Sequence, residues 1–369
     1  MAYTTIDDPT KYFDVTLWTG TGGARTISGL NHKPDLIWTK TRSVAYNHML
    51  SDSTRGFNAN SEIGANSDAA EGGLSADVYG YKSGHTSDGW TMVDGTDSVD
   101  SQEDGNTNQP GVTYVGWTWA ANGGTTSSNN DGDYTSTVQA NTTSGFSIVK
   151  YGDASSFSAS SPATVGHGLG STPKWILIKN LDGTRDWGVH HVSNGAGKII
   201  YLNLTNAVAN STGFDNGTLP SSSVFTVNTL NVANGNNLEY IAYCWAPIQG
   251  FSKFGAYKGN GESSGAFAYT GFKPAWLMIK RQDSSTNGDW AIYDKERSNI
   301  GNGDNENNDF LRANGSNTEA SASGLDILSN GFKIRSTSSR VNANDSLYIY
   351  MAFAEHPFVS SKGVPTTAK

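Results

Sequence analysis

A single cysteine, Cys244, rules out an intramolecular disulfide, so the fold must hold without covalent staples. It lies in the apolar run YIAYCWA, where a buried thiol behaves as a small hydrophobe. Charge is scarce too: 16% of residues are charged, 25 Lys plus Arg against 34 Asp plus Glu, and no basic cluster stands out. That balance disfavours a nucleic-acid partner held by phosphate neutralisation. The longest apolar runs are only strand-length, which argues against membrane insertion. The start, MAYTTIDDPTKYF, lacks the basic and apolar regions of a secretory signal, so the expectation is a soluble chain made in a cytosol.

Catalytic signatures are missing as well. There is no HExxH, CxxC or His-x-His spacing, no GxSxG elbow, no Walker loop and no dinucleotide fingerprint. The glycine-rich pieces TGTGG and KGNGESSG follow strands and lead into further strands, so they read as hairpin turns, not phosphate cradles.

What is present is 43 Gly, 10 Trp, 16 Tyr and 14 Phe among abundant Ser, Thr and Asn, a composition of short strands joined by polar turns. Self-similarity organises them. KPDLIWTK, TPKWILIK and KPAWLMIK place Pro34, Pro173 and Pro274 ahead of nearly unbroken apolar runs that end at Lys40, Lys179 and Lys280. Proline starts such a strand, and an unbroken run implies burial on both faces. VTYVGWTWA, LEYIAYCWA and SLYIYMAFA align Tyr114, Tyr240 and Tyr348. Upstream of each, Trp90, Phe225 and Phe332 sit in short alternating strands; VTLWTGTGG, FSIVKYGDASS and FSKFGAYKGNG open the copies.

The predicted fold is all-β with few short helices: three tandem antiparallel β-sandwich-like, jelly-roll-like modules from one diverged internal repeat. The boundaries read as an N-terminal arm 1–10, a divergent first module 11–120, a linker 121–145 rich in Gly, Ser, Thr and Asn, modules at 146–249 and 250–358, and a tail 359–369. The second and third modules abut at Gly250 and are expected to pack together.

Histidines invite chemistry, but the repeat weakens it. His167 in VGHGLG matches Ser28 and so reads as a variable turn residue, and His190 and His191 in DWGVHH face opposite sides of a strand, which prevents joint chelation. Oxygen-rich loops offer Asp94, Asp97 and Asp100 in DGTDSVDSQEDG, and Asp304, Glu306 and Asp309 in GDNENND, as calcium candidates, without the EF-hand order. Solvated turns are the plainer reading. Aromatic platforms for a sugar ring are sought beside the opening glycine turns, at Trp18, Tyr151 and Tyr257, and at Tyr79 and Tyr81 in DVYGYKSG. No catalytic residue emerges.

The combination of GFSIVKYG, VGHGLGSTPKWILIK, the DW pair, YLNLT, SSSVFTV, YIAYCWA, GFSKFGAYKGNG, TGFKPAWLMIK, LSNGFKIR and YIYMAFAEHPF resembles a repeat domain of virion proteins of tailed phages, especially marine ones, over residues 11–358. The resemblance implies a structural component of the particle, located in the virion. The expected role is a non-enzymatic tail-fibre or tail-associated adhesin that presents loops to a host surface glycan or receptor. It would contact other virion proteins and form a homo-oligomer, for which trimeric fibres are the precedent. The alternatives are a capsid or tail decoration protein, with the N-terminal arm as a docking element, and a polysaccharide depolymerase, which would need two carboxyls facing across a cleft.

Overall fold

The computed structural model describes residues 3–97, 103–153, 155, 158–297 and 306–366. The chain is all-β with few short helices; among the described residues the three α-helical elements, Ala76–Tyr79, Thr212–Asp215 and Ser339–Asn342, are single turns. No helix among the described residues is long and apolar enough to cross a membrane.

One pairing order occurs three times. An opening strand (Phe13–Thr19, Phe146–Gly152, Ser252–Lys258) pairs antiparallel with a closing strand (Thr113–Trp119, Glu239–Trp245, Leu347–Pro357). The closing strand pairs in turn with a proline-led strand (Leu36–Thr41, Trp175–Asn180, Phe272–Arg281), and that with a fourth strand (Met49–Asp52, Gly188–His191, Trp290–Asp294). The strands Leu36–Thr41 and Trp175–Asn180 are buried at every residue, as their unbroken apolar runs require. Beside this core order, Arg25–Ile27, Ala163–Gly166 and Phe267–Tyr269 each pair with the strand that carries Trp90, Phe225 or Phe332.

The platforms sought at Trp18, Tyr151 and Tyr257 are not exposed. They are 6%, 2% and 9% accessible. Each ring stacks on the tyrosine opposite it in the closing strand: Trp18 on Tyr114 at 5.0 Å, Tyr151 on Tyr240 at 5.1 Å and Tyr257 on Tyr348 at 5.0 Å. Trp90, Phe225 and Phe332 meet the opening-strand rings edge-on at 5.7, 6.0 and 5.9 Å. The polar tips then find backbone partners, as buried Trp and Tyr require. Trp18 Nε1, Tyr151 Oη and Tyr257 Oη donate to the carbonyls of Thr107, Ala233 and Val341. An aromatic beside a glycine turn is here a clamp on the loop before the closing strand.

The three segments do not lie in a row; they close on one another. Trp187 Nε1 donates to the Gly64 carbonyl at 2.8 Å and Trp290 Nε1 to the Tyr201 carbonyl at 2.8 Å, while His48 Nε2 lies 2.9 Å from the Arg312 carbonyl. Backbone bonds follow the same cycle, from Glu71 N to Leu181 O, Val208 N to Gln282 O and Glu319 N to Arg42 O. Each seam thus joins a different pair of segments, and the third returns to the first. One apolar cluster runs through all of them, with Trp119 at 6.0 Å from Trp245, 5.8 Å from Trp276 and 5.6 Å from Phe353.

Two further expectations change. Residues 121–145 are no free linker: Ser127–Asn129 and Ser136–Asn141 extend the second sheet, and Gln139 is fully buried, donating to Thr54 Oγ1 at 2.8 Å and accepting from Gly124 N. The polar composition hides this strand because Ser136 and Gln139 are buried polar residues: Ser136 Oγ donates to the Gly166 carbonyl and Gln139 bonds across to the first segment. The N-terminal arm docks on its own chain, with Ile6 buried, Tyr3 Oη donating to the Gly271 carbonyl and Asp7 accepting from Ser361 N.

Candidate functional site

A groove of about 310 Å³ opens between the first and third segments, lined by Ala45, Tyr46, Asn47, Leu74, Tyr79, Gly105, Asn106 and Ser316. Its wall is set by close backbone packing. Gly80 (φ 88°) ends the Ala76–Tyr79 turn in a conformation that glycine tolerates, and a Cβ there would sit 2.6 Å from Thr107 Oγ1. Gly95 lies so close to that turn that a Cβ would meet the Val78 carbonyl at 1.9 Å. Asn106 N can therefore donate to the Tyr79 carbonyl at 2.9 Å, and Tyr114 Oη donates to the Gly105 carbonyl at 3.2 Å, which anchors the floor to the first aromatic clamp. Across the groove, Asn66 Nδ2 donates to Asn47 Oδ1, fixing that amide.

Tyr79 is 37% accessible, one of the few exposed large apolar side chains. Two tyrosine rings, two asparagine amides and a serine hydroxyl make a surface with π-faces and neutral hydrogen-bonding groups. Among the described residues that line it there is no carboxylate, histidine, cysteine or lysine. Such a set can bind a neutral polyhydroxylated ligand by stacking and hydrogen bonds but supplies no acid–base pair.

Of the five aromatic platforms sought in the sequence, only Tyr79 reaches this groove. Tyr81 lies in the strand Tyr81–Thr86 opposite Val93 and does not line it. Tyr46, Asn47, Asn106 and Ser316 are not singled out by the sequence, because they come from three loops whose convergence no local pattern encodes.

The acidic candidates do not assemble as the loops suggested. Asp100 and Asp304 lie outside the described residues. Asp97 N bonds the Val78 carbonyl; Glu306 and Asp309 lie on the strand Glu306–Arg312, far along the chain from Asp94. Among the described residues no group of three His, Cys, Asp or Glu side chains could hold a metal ion. Asp94 alone stands out: burial and its contact with the Asp104 carboxyl push its pKa up to about 6.

The histidines are framework. His167 is fully buried, accepts from Leu169 N at Nδ1, and burial lowers its pKa. His190 and His191 are buried on opposite faces: His190 lines a small cavity with Phe214 and Phe225, and His191 meets Trp175 edge-on at 5.0 Å.

No curated protein and no solved structure matches the chain. Residues 8–357 match the family described as Domain of unknown function (DUF7483), and over that span, nearly its whole length, the chain belongs to this family.

Proposed function

We propose that this chain is a non-enzymatic structural component of a tailed-phage virion, a tail-fibre or tail-associated adhesin that binds a host surface glycan in the groove around Tyr46 and Tyr79. The groove carries the reading: exposed Tyr79 beside Asn47, Asn106 and Ser316 suits a sugar ring, and the described lining residues, with no acid–base pair among them, suit retention without cleavage. In this reading the segments are diverged copies of one jelly-roll-like module, and the closed ring is a rigid scaffold that lifts one specialised seam to the ligand. Contacts with other virion subunits would use a different face, and the accessible Phe267 and Tyr269 on the edge strand Phe267–Tyr269 favour such an assembly surface. Multiple copies on a particle would add avidity to a weak single site.

Purified protein incubated with immobilised host polysaccharide tests this. Retention without chain shortening is expected, and Tyr79→Ala should weaken it by roughly tenfold, the worth of one stacking contact. Chain shortening, or equal retention by Tyr79→Ala, would overturn the assignment.

A further inference from the structure

We propose that the Asp94–Asp104 carboxylate pair binds a divalent cation of the calcium class, and that the ion fixes the loop carrying Gly105 and Asn106 into the groove. Asp104 is 3% accessible; its Oδ2 accepts from Gly23 N at 3.1 Å, while its Oδ1 is buried without a partner. Asp94 Oδ1 is likewise a buried atom without a hydrogen-bond partner, and Gly95 N donates to the Glu103 carbonyl at 2.8 Å, which sets the two acids side by side. Among the described residues no Lys or Arg pairs with either acid. Two carboxylates held this close repel unless a proton or a cation lies between them, and hard oxygen donors completed by carbonyls and water suit calcium.

The framework itself does not ask for a carboxylate here. The closing tyrosine hydroxyl donates to the carbonyl of Asp104 in the first segment, of Asn231 in the second and of Ser339 in the third. The same cap is made where the residue is neutral. In the first segment the chain between Trp90 and Tyr114 is longer than its counterparts, and the two acids stand at either end of the extra length. A cation would thus tie the ends of the added loop. The Asp104 carbonyl then accepts from Thr107 N at 2.8 Å and Asn108 N at 2.9 Å, so holding Asp104 holds the turn that presents Asn106.

The link to the groove rests on the glycan reading; the cation site does not. Full-length protein freed of ions with EDTA is titrated with calcium chloride by calorimetry and followed by thermal unfolding, in parallel with Asp94→Asn/Asp104→Asn, whose circular dichroism and unfolding transition report that it folds. Saturable binding and a midpoint rise of at least about 2 °C in the wild type, both lost in the variant, are expected. Equal responses of the two proteins, or a wild type indifferent to calcium and stabilised by the asparagines, would show a shared proton only and overturn the site. Polysaccharide retention is then compared in calcium and in EDTA. Calcium binding with retention unaltered by EDTA would overturn the coupling. Calcium binding with no retention in either buffer would sink the glycan reading while supporting the ion site.

Discussion

Lowering the pH from 7 to 5 should destabilise this protein through two adjacent histidines. Burial, reinforced by Lys174, lowers His190 to about 4; burial, reinforced by His190, lowers His191 to about 3. His190 Nε2 has no partner that would hold a proton, and the Tyr350 backbone beside His191 favours the charged ring without offsetting burial. In the unfolded chain both titrate near their ordinary value of about 6.5. Because the folded values are depressed, the unfolded state binds more protons as pH falls below about 6.5, and stability drops until the folded values are passed. At about 1.36 kcal/mol per unit, each histidine costs about 2 kcal/mol at pH 5, together about 4 kcal/mol of a total of roughly 5–15 kcal/mol. Denaturant unfolding at pH 7 and pH 5 reads this directly. The control is His190→Leu/His191→Asn, where leucine suits the apolar cavity and asparagine can replace His191 Nδ1 as acceptor for Ser193 N, as Asp52 and Asp294 do for Thr54 N and Glu296 N. The variant should lose about 4 kcal/mol of the pH dependence and keep the part set by His32, His48 and His167, which burial also lowers. If it loses as much stability between pH 7 and 5 as the wild type, these histidines do not set the acid limit.

Lys280 is fully buried and donates to the Thr205 and Gly288 carbonyls across a seam, and burial lowers it to about 7. The unfolded state binds its proton more tightly, so stability should rise from pH 7 to 9, by about 2 kcal/mol from this residue, and Lys280→Met should flatten that rise in thermal melts. Trp187→Phe removes the indole donor from the Gly64 carbonyl at another seam, which keeps Ser67 N at 3.2 Å, and should cost about 1 kcal/mol in denaturant unfolding, with no loss of glycan retention; unaltered stability would mean that this seam bond contributes nothing.

The strand framework was legible because it is local. Proline, an apolar run and lysine recur at fixed spacing, and burial on both faces follows from the missing alternation at Trp175 to Ile178. The aromatic positions were also found, but their exposure was misread. A ring next to a glycine turn can point outward or clamp the next loop, and only the partner's register, Tyr151 against Tyr240 for example, decides between them. The groove was least legible. Tyr79 was named, whereas Ser316 comes to it from another segment, and contacts of such separation leave no periodic trace.

The same limit explains why the seams were missed although their residues recur. At one equivalent position stand Asp52, His191 and Asp294, and the equivalent closing-strand positions are Tyr243, Met351 and Trp117, with His191 beside the Tyr350 backbone next to Met351. Tyr243 Oη donates to Asp52 Oδ2 at 2.7 Å and Trp117 Nε1 to Asp294 Oδ2 at 2.9 Å, and each aspartate is also paired with an arginine three residues on, Arg55 or Arg297. Where the closing strand offers Met351, there is no donor, the arginine position is Asn194, and the acid has become a neutral histidine. A buried carboxylate left there without donor or arginine would carry an uncompensated charge, so the three substitutions make sense only as a set. That joint change across segments is a physical signature of a closed ring: in a row of separate domains, Met351 would place no demand on residue 191.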